Sequence, residues 1–225
     1  MADFIQPKMH LTKELIQDPA YHPFIDDKVL ADINEMLAEE TEVLIPKQDQ
    51  VFRAFNLCPL ADVKVVIVGQ DCYHSLRRGK RVADGLCFSS GIQEYCPPSL
   101  TRIKKHFKSS LGDTNSLESW AKQGVLLINS ALTVCQSQPG CHLALWERIT
   151  DAIIQGISRE REKVVFMLWG KYAQKKAKLI DTEKHLVLTG VHPSPFTNNS
   201  WFENPDFGVL ANEYLRQHYE VQIEW

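Results

Sequence analysis

Three polar side chains that could do acid–base or hydrogen-bonding chemistry follow apolar runs in this chain. Asp71 lies in the stretch GQDCYH at residues 69–74, Asn129 ends the run VLLIN, and His192 begins the stretch HPSP. An Asp at such a position can act as a general base, a metal ligand or an electrostatic stabiliser, or it can simply cap a helix. The three groups stand in separate segments without a close ligand pair, which disfavours a metal site. No G-x-S-x-G stretch is present, which disfavours a serine hydrolase.

Asn129, Phe88 and His192 each have a binding interpretation and a structural one. The Asn129 amide carries a donor and an acceptor in one plane, which suits the polar edge of a pyrimidine, but Asn also closes strands into turns. Phe88 offers a stacking face for a base and is equally typical of a core. His192 precedes Pro193, which restricts its backbone, and it could instead be a structural histidine. The residues alone leave these alternatives open.

Four short apolar runs predict the strands that position these groups. They cover residues 63–68, 125–129, 164–168 and 185–189. Their nearly continuous apolar character indicates a sheet that is covered on both faces. Helical patterns alternate with them and also occur near the N-terminus, at residues 28–40, 98–111, 145–159 and 172–180. We therefore predict one α/β domain over residues 1–225, with a central four-stranded parallel sheet flanked by helices on both faces.

The predicted architecture brings the polar groups to one place. Ligands of open parallel sheets bind at the carboxyl ends of the strands. The residues that follow the four predicted strands are GQDCYH, Asn129, WGK at 169–171 and GVHPSP at 190–195. One Asp, one Asn and one His are therefore expected at the same edge of the sheet.

Composition sets broad limits on the function. The chain has 225 residues, 44% of them hydrophobic, and a formal net charge of −3. That charge does not indicate nucleic-acid binding, but a binding face needs only local basicity. Basic runs occur at 77–81, 104–108 and 171–178. The apolar runs are too short to span a bilayer, and the N-terminus lacks a signal-peptide pattern. We expect an intracellular protein without a membrane partner.

The cysteines do not form a recognisable metal or redox motif in the sequence. The six cysteines show no C-x-x-C pair and no regular spacing. In an intracellular protein the expectation is reduced thiols, several of them in the core. No zinc pattern and no Walker A loop is visible, so neither a metal nor a cofactor is predicted.

Taken in order, these segments resemble the family 1 uracil-DNA glycosylases over residues 43–225. The family has a G-Q-D-P-Y-H loop and an H-P-S-P stretch followed by an apolar residue, where this chain has GQDCYH at 69–74 and HPSPF at 192–196. Between them GLCFS at 85–89, PPSL at 97–100, WAKQGVLLIN at 120–129 and LWG at 168–170 follow the family's order. Residues 1–42 form a separate N-terminal helical segment in this interpretation.

The resemblance implies a DNA repair enzyme that hydrolyses the N-glycosidic bond of deoxyuridine in single- and double-stranded DNA. Uracil would leave from a flipped-out nucleotide, and an abasic site would remain. In the family's mechanism Asp71 would position the attacking water and offset the positive charge on the sugar. His192 would stabilise the departing uracil anion. No metal or cofactor is implied.

The resemblance also assigns binding residues. Gln70 would help to hold the water and the base, Phe88 would stack on uracil, and Asn129 would read its polar edge. Tyr73 would stand against C5 and exclude the methyl group of thymine. The implied DNA-contact residues are His74, Pro98, Ser99, Gly170, Lys171, Ser194 and Phe196, of which Phe196 would enter the minor groove as an apolar wedge.

The resemblance implies partners besides DNA and leaves one alternative function. A protein inhibitor that mimics DNA is an expected partner, and the chain is expected to be a monomer. It would act in the nucleus if it is eukaryotic or viral, and otherwise in the cytoplasm. The alternative is a DNA-binding replication or repair scaffold with weak or lost activity. A degenerate scaffold, however, would not need all five of Asp71, Tyr73, Phe88, Asn129 and His192. An unrelated α/β enzyme for small molecules would leave the proline–serine loops unexplained.

The chain departs from the family pattern at several positions. Cys72 replaces the loop proline, so the loop should be looser or be held by another constraint. Residues 75–82 are about four longer than the family's link and basic, which suits either phosphate contacts or a mobile solvated loop. Asp84 replaces His or Asn and would add an acidic group near the pocket. Lys171 replaces Ser, and Phe196 replaces Leu.

Overall fold

The computed structural model describes residues 9–225, in which eight strands and seven α-helices are present. The strands are β1 (Leu44–Ile45), β2 (Val65–Gly69), β3 (Leu76–Arg77), β4 (Lys80–Arg81), β5 (Val125–Asn129), β6 (Val134–Cys135), β7 (Val165–Trp169) and β8 (Leu186–Gly190). The α-helices are α1 (Asp27–Glu39), α2 (Arg53–Leu57), α3 (Pro98–His106), α4 (Glu118–Lys122), α5 (Leu143–Glu160), α6 (Gly170–Gln174) and α7 (Phe207–Tyr219).

The central sheet is parallel and has the strand order β5-β2-β7-β8. Its register aligns Gly69 with Asn129 at one pair of strands and Trp169 with Gly190 at another. The carboxyl ends of all four strands therefore lie at one edge, as predicted. Helices flank this sheet, and the predicted α/β fold class is confirmed.

Burial explains why the strands are nearly continuous apolar runs. Every residue of β2, β5 and β7 is buried, whereas the residues of β8 at the sheet edge are mostly half-buried. Parallel strands that are covered on both faces have no solvent side on which polar residues could alternate. Four tryptophans, Trp120, Trp146, Trp169 and Trp201, are fully buried around this sheet.

The predicted helices form with shifted ends. The predicted helix at 28–40 is α1, which Asp26 caps by accepting from the backbone N–H groups of Lys28 and Val29. The predicted helix at 172–180 begins earlier, at Gly170, and its second half is a 3₁₀ turn at Lys175–Leu179. The predicted helix at 98–111 ends at His106, because Lys108 has a left-handed backbone (φ 48°).

The N-terminal segment at 1–42 is only partly covered by the structure. Within residues 9–42, α1 follows two 3₁₀ turns at Lys13–Leu15 and Pro19–Phe24. The prediction for residues 1–8 lies outside the described residues. Between residues 9 and 225, every helix is too short or too polar to cross a membrane.

Candidate active site

Asp71 comes two residues after the end of β2, and the Gly140 backbone holds its carboxylate. Its Oδ2 accepts a hydrogen bond from the Gly140 N–H over 2.6 Å. Burial raises the pKa of the Asp71 carboxyl, while the Gly140 N–H and the nearby His74 act in the opposite direction. A half-buried carboxylate with one strong donor keeps free lone pairs, so it can accept a proton from water or face a positive charge.

Cys72 supplies the constraint that the missing proline would give to the loop. Its thiol is buried and donates to the Leu132 carbonyl at 3.5 Å and to the Ala131 carbonyl at 3.8 Å. The Asn129 side chain donates to the same sulfur at 3.5 Å. Burial raises the pKa of Cys72 to about 12. The thiol is therefore neutral, and its part in the loop is packing rather than nucleophilic chemistry.

Asn129 lies against a glycine at the end of the neighbouring strand. A Cβ atom on Gly69 would lie 2.4 Å from Asn129 Oδ1 and 2.5 Å from Cys87 Sγ. Any larger residue at 69 would therefore push the amide away. The loop beyond β2 stays tied to this strand end, since the Gln70 carbonyl accepts from the Ala131 N–H at 2.8 Å.

Tyr73 and Phe88 form one wall of the site. The Tyr73 hydroxyl donates to the Phe88 carbonyl at 3.2 Å. It also lies within hydrogen-bond reach of the Leu100 backbone, in the first turn of α3. Phe88 has φ 60°, a left-handed conformation that costs a phenylalanine about 1–3 kcal/mol. Its half-buried ring lies 5.6 Å from the Trp169 ring and 5.7 Å from the His192 ring. The strained backbone presents an aromatic face beside the histidine.

His192 is held as a neutral donor. Its Nδ1 accepts from the Ser194 N–H at 3.0 Å, so the ring proton lies on Nε2. Burial lowers the pKa of His192, which favours the neutral ring. Gly170 has φ 85°, and a Cβ there would lie 2.8 Å from His192 Cβ. Only glycine lets the start of α6 approach the histidine this closely.

A cavity of about 310 Å³ opens between these loops. Its lining includes Gln70, Trp169, Gly170, Lys171, His192 and Ser194. The side chains of Gln70 and Lys171 are exposed at its mouth. This volume is at the lower end of the range for small-ligand sites. Asp71, Tyr73, Phe88 and Asn129 are not among the residues that line it, so the cavity covers the part of the site between Gln70 and His192.

The remaining predicted contact residues surround this site. His74 is half-buried, and its buried Nδ1 finds no hydrogen-bond partner within residues 9–225. Pro98, exposed, and Ser99, half-buried, open α3 beside Tyr73. Phe196 is 95% exposed on the 3₁₀ segment Pro195–Glu203, which follows Ser194. Phe196 is therefore free to contact a partner from the segment that follows Ser194.

Asp84 does not add a free charge to the pocket, contrary to the expectation from sequence. Its buried carboxylate accepts from Arg53 at 2.8 Å and from the Ser89 hydroxyl at 2.8 Å. The Arg53 guanidinium also pairs with Glu118. These groups line a separate cavity of about 650 Å³ that contains none of the predicted site residues. This cavity is larger than the one beside His192, but it does not contain the aspartate, asparagine and histidine of the predicted site.

Two basic segments also differ from their sequence interpretation. Residues 75–82 are not an irregular loop, because β3 and β4 form a hairpin whose two turn residues, Arg78 and Gly79, have φ 49° and 75°. Lys176, within the run 171–178, is buried and pairs with Glu147 at 2.5 Å and with Asp151 at 2.7 Å. Lys176 is therefore not available to a nucleic acid.

The sequence interpretation missed two residues of the site. Gly140 lies 69 residues after the aspartate that its N–H contacts, in a segment without a recognisable motif. Trp169 stood in the quoted stretch LWG, but only the packing shows that its ring backs Phe88. The LWG stretch was therefore a signal for Trp169, whereas no local sequence pattern indicated Gly140.

Comparisons with known proteins agree with this geometry. A sequence model of the Uracil DNA glycosylase superfamily matches residues 55–216. The uracil-DNA glycosylase of Flavobacterium johnsoniae is 44% identical over 226 residues, covering 97% of this chain and 99% of that protein. Uracil-DNA glycosylase 2 of Bacteroides fragilis is 48% identical over 188 residues, covering 81% and 83%.

Solved structures give the same result at the level of the fold. The crystal structure of mimivirus uracil-DNA glycosylase has a TM-score of 0.87 at 26% identity and covers 97% of this chain and 91% of that chain. A variant of the mimivirus protein in complex with UGI matches with the same TM-score and identity. With the ordered motifs, the shared sheet and the family match over most of its length, the chain belongs to the uracil-DNA glycosylase superfamily.

Proposed function

We propose that this chain hydrolyses the N-glycosidic bond of deoxyuridine in DNA, releasing uracil and leaving an abasic site. The observation that carries the proposal is that two side chains occur at the same sheet edge: a neutral His192, protonated on Nε2, and the Asp71 carboxylate. A single hydrogen-bond donor and a single carboxylate suit a reaction that produces one anion and one cation. Water and side chains supply all the chemistry that the proposal uses.

Recognition of the base rests on three side chains. Phe88 stacks on the flipped uracil, with its ring backed by Trp169. The Asn129 amide pairs with the N3–H and O4 edge of the base, and Gly69 leaves it the room to do so. Tyr73, fixed by its bond to the Phe88 carbonyl, stands against C5 and excludes a methyl group. Gln70 helps to hold the base and the attacking water.

The two catalytic groups act on opposite charges. As the bond from C1′ to N1 breaks, the electron pair leaves with uracil, and His192 Nε2–H donates to the O2 of that anion. The sugar becomes oxocarbenium-like, and the Asp71 carboxylate offsets its charge. Water then adds to C1′ and gives its proton to Asp71. The raised pKa of this carboxyl helps it to hold that proton.

DNA binding uses the rim of the cavity. Phosphate contacts come from His74, from Pro98 and Ser99 at the start of α3, from Gly170 and Lys171, and from Ser194. Phe196 enters the stack where the nucleotide has left it, which suits its full exposure. Such contacts set affinity without reading sequence, as a repair enzyme that scans any DNA requires.

The same face is proposed to take a protein inhibitor that mimics DNA. A mimivirus relative has been solved in complex with UGI, and this chain shares its fold. We also expect the chain to act as a monomer. It would work inside the cell, in the nucleus if the source is eukaryotic or viral and otherwise in the cytoplasm.

Excision of uracil tests the proposal directly. Single- and double-stranded oligonucleotides with one uracil are incubated with the chain, and alkali then cleaves any abasic site. Breaks at uracil opposite A and opposite G, with none at thymine, are expected. The Asp71→Asn and His192→Leu variants should keep DNA binding but lose most of the cleavage. DNA binding without breaks in the unaltered chain would instead favour a scaffold and refute the enzyme.

A further inference from the structure

Two cysteines, a histidine and a glutamate meet beside the loop at 136–140, outside the proposed base pocket. The ligand atoms of Cys135, Cys141 and His142 all lie within 4.8 Å of one another. His142 Nε2 is 3.2 Å from Cys135 Sγ and 3.5 Å from the carboxylate Oε1 of Glu40. The cluster therefore offers two sulfurs and one nitrogen close together, and the Glu40 carboxylate lies beside the nitrogen, outside that group of three.

The spacing of these atoms fits a tetrahedral zinc ion. Zinc bonds of about 2.3 Å to sulfur and about 2.0 Å to nitrogen or oxygen place neighbouring ligand atoms about 3.3–3.8 Å apart. The distance from His142 Nε2 to Glu40 Oε1, 3.5 Å, lies within that range, and the distance to Cys135 Sγ, 3.2 Å, lies just below it. We propose that Cys135, Cys141 and His142 bind a Zn²⁺ ion, with the Glu40 side chain turning towards it as the fourth ligand. On binding, each thiol loses its proton to solvent. The two thiolates then balance the 2+ charge of the ion, and the ionised glutamate leaves the site with one net negative charge.

The surroundings of His142 orient it as a metal ligand. Its Nδ1 lies 2.9 Å from the Thr133 hydroxyl, which also accepts from Trp146 Nε1 at 2.7 Å. With zinc bound, Nδ1–H donates to Thr133 and the Nε2 lone pair faces the cluster. Metal-ligating histidines generally have such a partner on their second nitrogen. The ring is held in place before any ion arrives, because His142 is 1% exposed.

The cluster also has an entry path. Cys141 is exposed, Glu40 is half-buried, and Cys135 and His142 are buried beneath them. An ion can thus reach the site from the side of Cys141 without unfolding of the core. A disulfide between the two cysteines is the competing interpretation. It needs an oxidant, and it would make no use of the imidazole nitrogen and the carboxylate that complete the cluster.

Filling the site would affect the proposed catalytic loop. Gly140 immediately precedes Cys141, and its N–H holds Asp71. A bound ion would tie Cys141 and His142 to Cys135 and so fix the segment that carries this donor. This consequence for catalysis rests on the proposed function, whereas zinc binding itself does not.

Metal titration of the whole chain tests the site. The protein is reduced, treated with a chelator and titrated with Zn²⁺ against a chromophoric competitor, and in parallel with Co²⁺. One equivalent should bind, and the cobalt form should show the visible bands of a tetrahedral ion and a thiolate-to-cobalt charge-transfer band. Cys141→Ser and Glu40→Gln should each weaken binding at least about tenfold. Cys96→Ser, a change of a half-exposed cysteine outside the cluster, should leave binding unchanged.

The readouts do not depend on DNA, so this proposal and the glycosylase activity can fail separately. Amide hydrogen exchange in residues 136–141 should slow when Zn²⁺ is added to the unaltered chain and should not respond in Cys141→Ser. Circular dichroism verifies that each variant is folded. Absence of stoichiometric binding, or equal binding by Cys141→Ser, would overturn the proposal. So would a chain that, in the absence of reductant, is lighter by two hydrogens and has its cysteines joined between 135 and 141.

Discussion

At the residue scale the proposed chemistry depends on how three backbone positions hold three side chains. The Ser194 N–H fixes the tautomer of His192, the Gly140 N–H orients Asp71, and the strained Phe88 presents its ring. Backbone donors cost little to reorganise during a reaction, because the fold already holds them in place. The sequence predicted the three side chains but not the groups that position them.

The state of His192 gives a prediction about pH. Burial lowers its pKa, so the folded chain should keep this ring neutral, with the proton on Nε2, at pH values where an unfolded histidine is already charged. Its folded pKa lies below the unfolded one, so His192 favours folding above the unfolded pKa. That contribution is lost as the pH falls through the folded pKa. Nitrogen NMR of the labelled chain measures both tautomer and titration, and the urea-unfolded chain is the control. A ring that titrates like the unfolded one, or is protonated on Nδ1, would contradict the assignment.

Tyr73 gives a prediction about specificity. Tyr73→Ala should open space against C5 and admit thymine, so the variant should cleave thymine-containing oligonucleotides that the unaltered chain leaves intact. Tyr73→Phe keeps the ring and should still reject thymine, although it loses the bond to the Phe88 carbonyl. Alkali cleavage of matched oligonucleotides measures both. If Tyr73→Ala still rejects thymine, a group other than Tyr73 excludes the methyl group at C5.

At the element scale the hairpin of β3 and β4 is the basic element next to the Asp71 loop. It begins two residues after His74 and carries Arg77, Arg78 and Lys80 with exposed side chains. A hairpin holds its charges in a fixed direction, whereas an irregular loop would pay more conformational entropy to order them on DNA. Its position after the proposed catalytic loop makes it a candidate extension of the proposed DNA-binding face.

The hairpin predicts a change in salt dependence. The double variant Arg78→Ala and Lys80→Ala should bind DNA more weakly and lose about one to two units of the slope of log affinity against log salt. Fluorescence anisotropy over a salt series measures the slope. Lys28→Ala combined with Arg216→Ala, two exposed changes on α1 and α7, removes the same charge and serves as the control. Equal slopes in the double variant and the control would show that the hairpin does not contact phosphate.

At the scale of the whole molecule, ion pairs join segments that the sheet alone does not connect. Arg53 on α2 binds Asp84 in the segment before Phe88 and Glu118 on α4. The Asp84 side chain is only 3% exposed, and its carboxylate pairs with the Arg53 guanidinium at 2.8 Å. A buried carboxylate without its cation is strongly destabilising.

This network predicts that replacing Arg53, which is partly exposed, lowers the stability of the fold strongly. Arg53→Ala should lower the free energy of unfolding by about 3–5 kcal/mol, and adding Asp84→Asn should restore part of it. Arg148→Ala breaks an exposed pair with Asp32 and should cost at most about 1 kcal/mol. Urea unfolding measures all three. Similar losses for Arg53→Ala and Arg148→Ala would show that Asp84 is solvated or has another partner.

What the sequence by itself determined is the set of elements and motifs. Apolar runs predicted the four sheet strands, because a strand covered on both faces must be apolar along its length. The parallel arrangement then placed Asp71, Asn129 and His192 at one edge. The ordered motifs indicated the family, which the comparisons confirmed.

What only the tertiary structure decided is how distant segments meet. Gly140 contacts Asp71 across 69 residues, Arg53 contacts Asp84 across 31, and Glu40 reaches His142 across 102. Such contacts leave no local pattern, because they depend on how packed elements bring loops together rather than on spacing along the chain. For the same reason Cys72, which in the sequence was only a missing proline, is a packed thiol beside Asn129 in the fold.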